Sequence, residues 1–169
     1  MVRSVSGGYN IITEMDNGTL TLTSITMETS QGYYQIGGTL ISISGSIALD
    51  VQGTAAELDG GFVKLGNANM LSTLDVTGNV NFHGAEYDAK LNPQANFQDR
   101  IRVIGTVDIT ASSKLKTSWL NQNQLLKPRD WDVLHATLIN GQFTEDFSGT
   151  PGVTGHDPNQ LPTDYALLA

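Results

Sequence analysis

Apolar and polar positions alternate in short runs along this chain, and one run keeps returning behind a glycine. It reads Gly18-Thr-Leu20-Thr-Leu22, Gly61-Phe-Val63-Lys-Leu65, Gly78-Asn-Val80-Asn-Phe82 and Gly105-Thr-Val107-Asp-Ile109, with a looser copy at Gly38-Thr-Leu40-Ile-Ser42-Ile43. Alternation with a period of two is the mark of a half-buried strand. The glycines are 20, 23, 17 and 27 residues apart, and a strand that returns about every 20 residues signals a solenoid. The pattern predicts an all-β chain, a right-handed single-stranded parallel β-helix. Leu20, Leu40, Val63, Val80 and Val107 would form one inward row, and Leu22, Ile43, Leu65, Phe82 and Ile109 a second. A β-sandwich or jelly roll also has short strands and glycine turns, and the uneven steps keep it as the alternative.

No stretch before residue 110 carries a helical period. Around 118–126 a short helix competes with strand plus loop, and strand plus loop is the reading taken. Residues 1–147 are expected to be the solenoid. Residues 148–162 are rich in Pro, Gly and Asp and read as loop. They open a tail, 148–169, with one last strand at 165–168.

Composition narrows the function. Seventeen acidic residues against 9 basic ones leave a net charge of −8. That argues against a nucleic-acid partner, whose phosphates are held by Lys and Arg, and against anionic membranes. With no cysteine, neither a disulfide framework nor a thiolate metal site is available. No run is long and apolar enough for a membrane span, and residues 1–10 lack the apolar stretch of a signal peptide.

From residue 74 the order of the pieces carries a family likeness. It runs Leu74-Asp-Val76-Thr-Gly78-Asn-Val80-Asn-Phe82, Tyr87-Asp-Ala-Lys-Leu91, and Asp99-Arg-Ile101-Arg-Val103-Ile-Gly105-Thr-Val107-Asp-Ile109. Then come Trp131-Asp-Val133-Leu134-His-Ala136, Gly141-Gln-Phe143, and Leu161-Pro162 before Tyr165-Ala-Leu167. This resembles the carboxy-terminal part of autotransporter passenger domains and related bacterial surface β-helix proteins. The resemblance implies the last coils of a β-helix on an extracellular or cell-surface protein. No export signal precedes Met1 and no membrane barrel follows Ala169. The expectation is therefore either a fragment or a related solenoid without a barrel.

Candidate chemistry is sparse. Asp75 and Asp108 should point outward, and with Lys64 they make the best case for a polysaccharide lyase or hydrolase, in which carboxylates and a base act on a glycan. Asp50 is a further outward carboxylate. Glu86 and Asp88 share a strand face, where a carboxylate pair is more often solvated surface than acid and base. His83, His135 and His156 lie far apart in sequence, so no metal site and no cofactor are expected. Thr19, Thr21 and Thr23 make a flat row, but the matching positions elsewhere do not keep threonine. Asn17-Gly-Thr19 fits the glycosylation acceptor pattern. Tyr33 and Tyr34 are the candidates for stacking on a sugar, since one of two neighbours on a strand must face out; Trp131 reads as core.

These residues predict a non-enzymatic surface stalk or adhesin segment whose partner is a surface glycan or another host or cell-surface ligand. Self-association through the open solenoid ends is expected as well. The alternative is a carbohydrate-active enzyme, or a phage tail fibre or spike segment that binds glycans.

Overall fold

The computed structural model describes residues 2–7, 10–23, 26–29, 32–43, 46–49, 55–95, 97–120, 130–156 and 162–168. Its strands, in chain order, begin with β1 (Val2–Gly7), β2 (Asn10–Met15), β3 (Thr19–Thr23) and β4 (Thr26–Thr29). Next come β5 (Gly32–Gln35), β6 (Thr39–Ile43), β7 (Ser46–Leu49), β8 (Ala55–Leu58), β9 (Phe62–Leu65) and β10 (Thr73–Thr77). They continue with β11 (Asn79–Phe82), β12 (Glu86–Asn92), β13 (Phe97–Gln98), β14 (Arg100–Ile109) and β15 (Lys114–Trp119). The last are β16 (Asp130–Gly141), β17 (Thr144–Gly149), β18 (Gly155–His156) and β19 (Asp164–Leu168).

Each coil contributes three strands, and like strands of successive coils pair in parallel. The first face stacks β2, β5, β8, β11 and the second halves of β14 and β16. The second stacks β3, β6, β9, β12, β15 and β17. The third stacks β4, β7, β10 and the first halves of β14 and β16. The chain is therefore a β-solenoid, and the parallel ladders exclude a sandwich, whose strands pair antiparallel. Two antiparallel strands meet the ends, β1 against β2 and β19 against β16.

The coil lengthens along the axis. Leu20, Leu40, Val63, Tyr87 and Leu115 stand in register on the second face, so the repeat grows from 20 residues to 28. This corrects the single inward row expected above. Val80 and Val107 belong to the first face, in register with Tyr33, Ala56 and Ile139. The glycine phrase thus marks two different corners. The second expected row divides as well: Phe82 and Ile109 are on the first face, and Ile43 leaves it because Leu22 and Leu65 are matched by Ser42, which is buried. Gly105 opens no strand: β14 runs through it, with a bulge against β16 between Val103 and Thr106.

The corner before the second face depends on glycine. Gly18, Gly38 and Gly61 all have positive φ (100, 79 and 75°), where side chains are strained. The Gly18 and Gly38 carbonyls accept from Thr39 and Phe62 N–H of the next coil at 2.8 and 2.9 Å. A Cβ on Gly61 would lie 2.3 Å from the Gly38 oxygen.

Inside, Tyr87, Phe82, Trp131 and Tyr165 fill the widening coils, and Trp131 meets Trp119 edge-on at 6.0 Å. Two buried polar side chains in the interior, Gln35 and Asp99, have their hydrogen-bonding atoms engaged, as low dielectric requires. Gln35 Nε2 donates to the Gly60 and Phe62 carbonyls, and its Oε1 accepts from Tyr33 Oη. Asp99, with no exposed side-chain surface, accepts from Ser72 N at 2.8 Å, Lys90 N at 2.9 Å and Lys90 Nζ at 2.6 Å. Burial pushes its carboxyl above the usual range, while the Lys90 contacts pull it back.

Residues 148–169, expected as a loop-rich tail, include β18 and β19, which pair with each other and, through β19, with the solenoid. There Phe143 meets Tyr165 edge-on, His156 stacks on the Tyr165 ring, and Tyr165 Oη donates to Glu145 at 2.8 Å. Ile25, Gly45, Asp50, the Gln52-Gly53 turn and residues 121–129 lie outside the described residues. The 118–126 helix alternative falls mostly there, after Trp119 ends β15.

Candidate functional site on the third face

Outward positions on stacked parallel strands form straight rows, each rung about 4.8 Å from the next. On the third face one such row is Asp75, Arg102, His135 and Asp164, each in direct register with the next. Arg102 closes a two-point fork on Asp75, Nε to Oδ1 at 2.6 Å and Nη2 to Oδ2 at 2.9 Å. The hydrogen bonds and charge of Asp75 raise the guanidinium pKa further, so it stays charged. His135 Nδ1 lies 2.5 Å from Asp164 Oδ1. A second pair runs alongside, Arg100 Nη2 to Asp132 Oδ2 at 3.2 Å.

Over this row opens a cavity of about 680 Å3, whose lining includes Asp75, Thr77, Arg102, Ile104, His135 and Thr163. Ile104 is 74% exposed in the middle of these polar groups. Paired charges, hydroxyls and one bare aliphatic side chain suit a ligand with polar edges and small apolar faces.

The second face has a smaller recess of about 390 Å3 beside the 66–70 turn, lined by Ile41, Ile43, Lys64, Asn67 and Asp88 among others. Its outward row alternates in sign, Lys64, Asp88, Lys116 and Asp146. Lys64 Nζ lies 3.8 Å from Asp88 and 5.3 Å from the centre of the Phe62 ring. Hydrogen bonds from Ser148, then the nearby lysines, pull Asp146 below the usual carboxylate range.

The sequence candidates are dispersed over these surfaces. Asp75 is in the third-face cavity, while Lys64 is on the second face. Asp108 is on the first face, accepting from Asn140 Nδ2 at 2.8 Å. The three do not converge, because they sit on strands of different faces. Tyr34 is 38% exposed on the first face, in register with Glu57. Tyr33 must be corrected as a sugar-stacking residue. It is fully buried, and burial pushes its hydroxyl pKa up. Glu86 and Asp88 do share the outer face of β12.

Two groupings escaped the sequence reading. Glu57, Asp59 and His83 converge at the end of the first face, and Asp132, His135 and Asp164 beside the third-face cavity. In the second, 29 residues separate His135 from Asp164, and only the antiparallel return of β19 joins them. No local spacing signals such a pair.

The class these observations define is a three-faced β-solenoid with an open, charge-paired groove on one lateral face. No protein-family model, no curated protein and no solved structure matches the chain.

Proposed function

We propose that this chain is a non-catalytic segment of a bacterial cell-surface or secreted β-helix protein, a stalk or adhesin that holds a surface glycan along its third face. The observation that carries the reading is the groove itself. Its charges are already paired with one another, and an exposed Ile104 lies among hydroxyl and charged groups. Sugars present alternating hydroxyl edges and apolar ring faces, which such a surface matches without a strong field of either sign. The dispersal of Asp75, Asp108 and Lys64 removes the constellation on which a lyase reading rested. The bacterial and extracellular setting is supported by the resemblance of residues 74–167 to passenger domains. The rigid stacked core suits a stalk, because each coil is locked to its neighbours by continuous ladders.

The test is incubation with a panel of bacterial and plant polysaccharides, following both protein retention and glycan length. Retention without shortening is expected, and Arg102→Ala and Ile104→Ser should abolish it. Shortened chains with new unsaturated or reducing ends would refute the non-catalytic reading in favour of the carbohydrate-active alternative. An absence of retention on every polysaccharide would refute the glycan reading.

A further inference from the structure

In a regular strand, positions three apart face opposite sides. Asp132 and His135, both on β16, nevertheless point outward, because Val133 and Leu134 between them are both buried. The cause is a bulge: the register of β16 against β19 slips between Asp132 and Leu134. A bulge re-aims side chains in this way. β19 then places Asp164 directly opposite His135. One nitrogen or oxygen donor from each of Asp132, His135 and Asp164 falls within 4.8 Å of the other two.

One atom at this place, the buried Asp132 Oδ1, has no hydrogen-bond partner among the described residues, while Oδ2 faces Arg100 at 3.2 Å. A buried carboxylate oxygen left bare costs free energy unless something cationic or donating meets it. The competing cluster, Glu57, Asp59 and His83, has no such atom among the described residues, and Glu57 Oε1 there is taken by Asn81 Nδ2 at 2.8 Å.

We infer that Asp132, His135 and Asp164 bind one divalent first-row transition ion, with Zn2+ as the fitting probe. An imidazole nitrogen with two carboxylate oxygens is a donor set for such ions, and three protein ligands leave a position open to solvent. Calcium fits poorly, since it takes six to eight oxygens and no nitrogen. The Arg100 guanidinium offsets part of the negative charge and leaves a net anionic site for the ion. This inference does not depend on what the groove binds.

The test uses the full chain stripped with chelator, titrated with ZnCl2 and separately with CaCl2, reading heat and bound metal. One Zn2+ per chain with saturable uptake is expected, and Ca2+ should bind far more weakly. Loss of an outer partner alone weakens metal sites by about 10- to 100-fold, so His135→Ala and Asp164→Asn should each weaken uptake at least about tenfold. His83→Ala should leave it unchanged. Asp132→Asn, which keeps the shape of the side chain, checks that a loss is not unfolding, alongside circular dichroism of every variant. No saturable Zn2+ uptake, equal Ca2+ affinity, or uptake that survives His135→Ala but fails in His83→Ala would each overturn the assignment.

Discussion

Alanine at two corner glycines separates backbone strain from the closeness of the coils. At Gly18 a Cβ would meet nothing within 4 Å, so only its positive φ resists substitution. That strain is worth about 1–2 kcal/mol. Reduced freedom of the unfolded chain returns about 0.4–1 kcal/mol. Gly18→Ala should therefore cost about 1 kcal/mol. Gly61 shares the strain, with φ at 75°, but its Cβ would lie 2.3 Å from the Gly38 oxygen and 2.8 Å from the Gly37 carbonyl carbon. Both atoms are backbone and cannot swing aside. The coils would have to part where Gly38 O accepts from Phe62 N–H at 2.9 Å. Overpacking costs about 1–3 kcal/mol, and the weakened hydrogen bond about 1 more. Gly61→Ala should then lose about 2–4 kcal/mol beyond Gly18→Ala. Urea unfolding reads this directly: with an m of about 2–3 kcal/mol/M, the Gly61 variant should unfold about 1 M earlier than the Gly18 variant. Equal midpoints with unchanged m would refute the argument, and would mean that the corner selects glycine for its φ alone.

Other substitutions probe the interior and the two faces. Asp99→Ala strands the Ser72 and Lys90 amides and the Lys90 ammonium. It should cost about 3–5 kcal/mol by urea unfolding, and a loss under about 1 kcal/mol would show that the buried carboxylate is dispensable. Tyr87→Phe leaves the buried Val133 carbonyl without the phenol that donates to it at 3.2 Å, and should cost about 1–2 kcal/mol by the same assay. Arg102→Ala breaks a pair that is about half exposed on both sides, so stability should change by less than about 1 kcal/mol while polysaccharide retention is lost. Lys64→Ala, on the second face, should leave both stability and retention within error; loss of retention there would move the binding surface to the recess under the 66–70 turn.

The interior of this solenoid was far more legible than its surface, for a physical reason. Alternation betrays a strand whenever one face is buried, so β3, β9, β11 and β12 all stand out from Thr19-Leu-Thr-Leu, Phe62-Val-Lys-Leu, Asn79-Val-Asn-Phe and Tyr87-Asp-Ala-Lys-Leu. The weaker run Ala55-Ala-Glu-Leu hides β8, because small side chains give little hydrophobic contrast. What alternation leaves open is which face a strand joins. Gly61 and Gly78 introduce runs of the same form, yet the first enters the second face and the second enters the first face, since either corner accepts a glycine. The corner itself changes along the axis. The position held by Gly18, Gly38 and Gly61 passes to Ala85, whose carbonyl accepts from Lys114 N, and then to Ser113, which accepts from Thr144 N. Both are buried, so longer coils take side chains at a corner where Gly38 and Gly61 have room only for glycine.

Surface function is assembled across coils, where sequence distance follows coil length rather than any motif. Asp75 and Arg102 are 27 residues apart, and His135 and Asp164 are 29 apart with their strands antiparallel. A repeat that lengthens from 20 to 28 residues gives no constant offset with which to find such partners. The bulge that turns Asp132 and His135 to the same side adds one inward residue, so strict alternation would have placed one of the two in the core. The same departure from regularity that hid this cluster from the sequence is what brings its donors together.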